Sequence, residues 1–144
     1  MDNKMEDKPQ EKQEKIIIHF PEGIYGFEDV KDFILLQEDD AQFLWSLQAA
    51  YSPYPTLIVV DPFLIMPDYA PKLQERELHL LGDPAEEDLC WLAVAVIRKK
   101  LEDSVVSLKS PIVINVKNRV GMQVILEDGD YPLRYRLFAE TGGQ

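Results

Sequence analysis

Three runs of carboxylates hold the residue types that acid–base or metal chemistry needs: Glu38-Asp39-Asp40, Glu86-Glu87-Asp88 and Glu127-Asp128-Gly129-Asp130. Neighbouring carboxylates can share a proton or ligate a hard cation. The rest of the sequence completes neither use. No run has the spacing of an EF-hand loop. The two histidines, His19 and His79, lie far apart, each beside apolar residues in a segment that reads as strand. Neither has a Cys or His companion at zinc spacing. The single cysteine, Cys90, sits inside Leu89-Cys90-Trp91-Leu92-Ala93-Val94 and reads as a small buried hydrophobe. One cysteine makes no internal disulfide. There is no Gly-x-Ser-x-Gly elbow, no phosphate-cradling loop with Lys and Ser/Thr, and no dinucleotide-binding glycine pattern. The residues therefore predict no enzyme, no metal and no cofactor. A small metal-assisted hydrolase would need one acidic run to converge with His19 or His79.

The charge points elsewhere. Twenty-six acidic side chains face 15 basic ones, for a net charge of −11. Phosphate backbones repel such a surface, which argues against direct nucleic-acid binding. An acidic face can instead hold a basic protein, or it can serve solubility alone. On the first reading any one of the three acidic runs could form a docking surface, and Tyr25 and Phe27 sit in the double-glycine loop. Aromatic side chains in a loop either anchor a partner or plug the end of a barrel. No apolar stretch approaches the roughly 20 residues that span a bilayer, and residues 1–15 are too polar for a signal peptide. The expected location is the cytoplasm, without membrane contact.

These candidates must be positioned by many short strands. Residues 1–15 carry five acids and four bases and almost nothing apolar, the composition of a flexible tail. A single domain over 16–138 follows, and 139–144 read as frayed. Ile16 to Phe20 is a β-branched strand, and Gly23 and Gly26 mark a tight loop needing positive φ. Glu28 to Phe33 reads as one helical turn leading into Ile34-Leu35-Leu36. Phe43 to Ala49 and Thr56 to Val60 are strands joined by the rigid turn Ser52-Pro53-Tyr54-Pro55. The chain then turns irregular, with a short helix expected over Asp68 to Gln74 and Asp68 as its N-cap. Leu89 to Ile97 is apolar on both pleat faces, as suits a strand covered on both sides. Trp91 reads as core, and Trp45 as core or surface. The remaining strands are Val105 to Leu108, Ile112 to Val116, Gly121 to Leu126 and Tyr131 to Phe138. Asn115 is placed to bond nearby backbone at a strand end, and Asp128-Gly129 is a hairpin signal. Together these predict a mainly β chain: a small antiparallel β-barrel-like or sandwich domain with one or two short helices.

Two stretches together resemble the bacterial flagellar assembly factor FliW family. One is Phe20-x-x-Gly23-Ile24-x-Gly26-Phe27, with Phe33-Ile34-Leu35 and Leu47-Gln48 after it. The other is Leu108-x-x-Pro111-Ile112-Val113-Ile114-Asn115, then Arg119-x-Gly121-x-Gln123-Val124-Ile125-Leu126, Tyr131 and Arg134. Ala49 and Ser107 depart from the family's usual serine and asparagine. The resemblance implies a β-barrel-like domain without enzymatic activity. It also implies two partners: CsrA, a small basic dimeric RNA-binding repressor of flagellin translation, and flagellin itself. FliW held by unexported flagellin leaves CsrA free to repress; FliW released by export captures CsrA, and flagellin synthesis resumes. With CsrA as the partner, the acidic turns with Glu86, Glu87, Asp88, Glu127, Asp128 and Asp130 are the first candidates for docking, and Tyr25, Phe27 and Glu28 are the second. A dedicated flagellin chaperone with no translational role, binding through an apolar groove, is the alternative.

Overall fold

The computed structural model describes residues 15–37 and 44–138. The charged leader, the Glu38-Asp39-Asp40 run, Phe43 and the expected C-terminal fraying lie outside the described residues. β-Branched and apolar runs between turn residues become nine strands: β1 Ile16–His19, β2 Asp32–Gln37, β3 Leu44–Ala49, β4 Thr56–Val60, β5 Leu89–Val96, β6 Val105–Val106, β7 Ile112–Asn115, β8 Val120–Gln123 and β9 Tyr135–Arg136. Two short helices, α1 Pro62–Ile65 and α2 Glu75–Leu80, lie between β4 and β5.

Seven strands close into a barrel in the order β4-β3-β2-β1-β8-β7-β5, with β4 pairing β5 to complete the ring. The short β6 and β9 extend from the far part of β5. The barrel is antiparallel except where β1 meets β8 in a parallel contact, His19 opposite Val120. β5 touches three strands: β7 along its first half, then β4 and β6 on its two edges. That central place explains its two apolar faces. Leu92 joins the barrel interior with Ile18, Phe20, Phe33, Leu47, Val59, Ile112 and Ile114, while Cys90 and Val94 pack there half-buried. Ala93 and Ala95 face an outer cluster built with Tyr69, Leu81, Leu108, Val113, Met122 and Val124. Trp91 and Cys90 are half-buried, short of the full burial their surroundings in sequence suggest.

Close packing explains the glycines. Phe20 and Phe33 meet edge to face at 5.4 Å, and a Cβ on Gly121 would lie 2.8 Å from the Phe20 ring. Gly23 (φ 74) and Gly26 (φ 90) both take the positive φ expected of the loop.

Four local expectations are corrected. Residues 28–33 form no helical turn. Phe27 N donates to Ile24 O, Val30 N donates to Phe27 O, and Lys31 O accepts from Phe20 N at 2.7 Å, which draws the chain straight into β2. No helix forms over 68–74 either. Pro67 and Pro71 deny donors there, and Tyr69 leaves the local backbone to donate its hydroxyl to Leu108 O at 2.6 Å. The helices form instead where caps exist. Asp61 accepts from Phe63 N to start α1, and Gln74 N donates to Glu77 Oε1 at 2.8 Å in a capping box that starts α2. His79 consequently lies on α2 and not in a strand. Finally, Asp128-Gly129 turns the chain (Gly129 φ 83) without forming a hairpin, because β9 pairs with β6 and not with β8. The carbonyl of Pro132 fixes that departure by accepting from Leu108 N and Lys109 N.

Candidate functional site

The segment from Asp61 to Leu81 crosses the outside of the barrel and organises the surface charge. It is pinned by polar anchors that spare buried groups from going unpaired. Tyr69 Oη donates to Leu108 O, and Ala70 N donates to Tyr131 Oη at 3.0 Å. Asn115 Nδ2 donates to Leu81 O at 2.8 Å, and Asn118 Nδ2 reaches the same carbonyl at 3.3 Å. Asn115 Oδ1 also accepts from Lys117 N, so this residue caps the end of β7 as its sequence position suggests. Tyr69 and Tyr131 pack edge to face at 4.8 Å. Burial first, and the neighbouring Tyr131 second, hold the Tyr69 phenol far above the ordinary tyrosine range.

Both first-choice acidic turns adjoin this crossing segment. Glu86, Glu87 and Asp88 form a short 3-10 turn just before β5. Glu86 lines a cleft of about 380 Å³ with Lys72, Leu73 and Trp91. Asp88 is partly committed to structure: its carboxylate accepts from Ala85 N, and its carbonyl accepts from Val116 N. Glu127 and Asp128 line a second cleft, of about 180 Å³, again with Lys72 and Leu73. Asp130 is exposed at the end of the same turn. The structure thus sets Glu86 and the Glu127-Asp128 pair against one shared stretch of chain. It adds a residue that sequence reasoning missed, Glu77, which lines the second cleft from α2. The signal for it was the Gln74-x-x-Glu77 capping box. The nearby Arg76 is paired with Glu22 at 3.0 Å.

The second-choice residues sit in the loop between β1 and β2. Ile24 is buried there, whereas Tyr25 and Phe27 are 53% and 40% exposed. Ile24 joins the barrel-interior cluster from this loop. Tyr25 N donates to Gln123 Oε1 at 3.0 Å, and Glu28 accepts from Gly26 N at 3.2 Å. The Glu22–Arg76 pair is this loop's bridge to α2. The loop is otherwise separate from the two acidic clefts.

The histidines do not meet the acidic turns. His19 pairs with Asp32 at 2.8 Å, and His79 with Asp83 at 2.7 Å and Glu75 at 3.8 Å. Among the described residues no three His, Cys, Asp or Glu side chains converge on one metal position. Burial pushes the Cys90 thiol up, with Asp61 adding to the effect, so it stays protonated near neutral pH. No helix among the described residues is long and apolar enough to cross a membrane.

What the arrangement offers is a folded surface with charged clefts. The model of the FliW protein family matches residues 2–137. The chain belongs to the FliW family. The flagellar assembly factor FliW of Caldicellulosiruptor saccharolyticus is 39% identical over 128 residues, covering 89% of this chain and 84% of that protein. The Geobacillus kaustophilus flagellar assembly factor FliW is 35% identical over 127 residues, covering 88% of each chain. A crystal structure of the flagellar assembly factor FliW superposes with a TM-score of 0.81 at 32% identity, covering 88% of both chains. The family match spans the barrel, the crossing segment and both acidic turns.

Proposed function

We propose that this FliW-family protein is a non-enzymatic cytoplasmic regulator. It binds a CsrA-type translational repressor, relieves repression of flagellin synthesis, and exchanges that partner with unexported flagellin. Residues 16–138 act as its single folded unit. The repressor docks on Glu86, Glu87, Asp88, Glu127, Asp128 and Asp130. The observation that carries this reading is that Glu86 on one turn, and Glu127 and Asp128 on the other, line clefts sharing Lys72 and Leu73. A basic dimer meeting that face gains from complementary charge at several points at once, which favours fast, salt-sensitive association. Calorimetric titration with CsrA from the same organism tests it. Reversing Glu127 and Asp128 to lysine weakens binding at low salt by about tenfold or more. Unchanged affinity in that variant removes the Glu127-Asp128 turn from the interface.

A second reading is a flagellin chaperone without a translational role, to which the loop of Tyr25, Phe27 and Glu28, the second candidates for repressor docking, offers exposed aromatic surface. The exposure of both loop aromatics favours it, since aromatic anchors dominate many interfaces. It is distinguished by tight flagellin binding with little salt dependence, lost in Tyr25→Ala/Phe27→Ala and unaffected by reversal of the acidic turns.

A further inference from the structure

The barrel interior is not filled to both ends. At the end where β1 and β5 begin, a cavity of about 160 Å³ opens among Ile16, Ile18, Leu35, Cys90 and Ile114. The exposed residues Val116 and Arg119 complete its wall. Every lining side chain but Arg119 is apolar or, in the case of Cys90, an uncharged thiol.

Arg119 is an unusual choice for its position. It occupies the turn between β7 and β8 at φ 60, a region where glycine or asparagine is at ease and a long side chain is not. Its backbone is fixed on both sides. Arg119 N donates to Asn115 O at 2.8 Å, and Arg119 O accepts from His19 N at 2.9 Å. The guanidinium makes no hydrogen bond or ion pair among the described residues. Strained residues of this kind concentrate at binding positions. Here the strained turn sets Arg119, whose guanidinium is uncommitted, against an apolar pocket.

We propose that this cavity binds a small aliphatic monocarboxylate, with the hydrocarbon chain inside and the carboxylate on Arg119. An apolar cavity of about 150 Å³ takes up benzene, which sets the occupant at about six carbons. Guanidinium matches carboxylate in a planar, two-point geometry. The half-buried Cys90 thiol carries no negative charge to oppose the anion. The inference is independent of the docking role given to the acidic turns, which lie outside this cavity's wall.

The test is an amide NMR titration of the full-length protein with hexanoate, hexan-1-ol and hexylamine at neutral pH. Hexanoate saturates with a dissociation constant on the order of 1 mM, as expected for so few heavy atoms. Its shifts centre on Ile16, Ile18, Ile114, Val116 and Arg119. Hexan-1-ol binds about tenfold more weakly, in keeping with the loss of a charge-assisted contact. Arg119→Asn, which retains a residue suited to positive φ, brings hexanoate down to the level of the alcohol. If hexanoate gives no saturable shifts up to about 20 mM, the proposal is overturned. Equal binding of hexan-1-ol to the wild-type protein overturns the role of Arg119, whether or not the variant folds.

Discussion

The barrel interior and the layer outside it are both apolar cores, but they are held in different ways. The interior is fixed by contact alone: Phe20, Phe33, Leu47, Val59 and Ile112 are fully buried, and Gly121 yields its side-chain space to the Phe20 ring. The outer layer is fixed by contact plus polar anchors, because the crossing segment from Asp61 to Leu81 has little regular structure to satisfy its own backbone. The difference separates tasks. The ring of strands specifies the fold, and the anchored segment outside it carries Glu77 into the cleft lined by Glu127 and Asp128.

Breaking the interior has the largest expected effect. Phe20→Ala removes a fully buried ring and its edge-to-face partner, and destabilises by about 3–5 kcal/mol. A fall in urea midpoint at unchanged slope checks it. The loop glycines sharpen the same point. In Gly23→Ala the new Cβ meets the Glu28 backbone at 2.6 Å on top of an unfavourable φ, whereas at Gly26 nothing lies within 4 Å. Gly26→Ala therefore costs only the conformational term, about 1–2 kcal/mol, and Gly23→Ala costs clearly more. Equal losses at the two sites would refute the steric account of Gly23.

In the outer layer Tyr69→Phe leaves the buried Leu108 carbonyl without its donor and costs about 1–3 kcal/mol at neutral pH. The pH dependence has a definite sign. The folded phenol stays protonated well above its ordinary pKa, while the unfolded one ionises near pH 10. Above that pH the unfolded state binds fewer protons, so stability falls as pH rises. Denaturant midpoints measured from neutral to strongly alkaline pH should decline less steeply in Tyr69→Phe than in the wild-type protein. The smallest effect on stability belongs to the surface: Glu127→Lys/Asp128→Lys shifts unfolding by no more than about 0.5 kcal/mol.

The contrast between the layers also explains what the sequence could disclose. Interior strands were legible because each is a short β-branched run bounded by glycine, proline or charge. Even the double-faced character of β5 was written in Leu89 to Ile97. The parallel contact of His19 with Val120 was not legible, since pairing partners depend on closure of the whole ring. The outer segment misled for a local reason. Asp68 before Pro71 imitates a helix start, yet the working caps are Asp61 and Gln74. Asp128-Gly129 imitates a hairpin, but Pro132 sends the following strand to β6. Of the candidate site, the acidic turns were visible as composition. Their shared border on Lys72 and Leu73 arises only from tertiary structure.

Whether the acidic turns around the crossing segment receive a basic repressor is decided first by titrating CsrA from the same organism into the wild-type protein at low and high salt. Saturable binding, micromolar or tighter, that weakens as salt rises is expected of the proposed interface. No binding at either salt concentration removes CsrA as the partner.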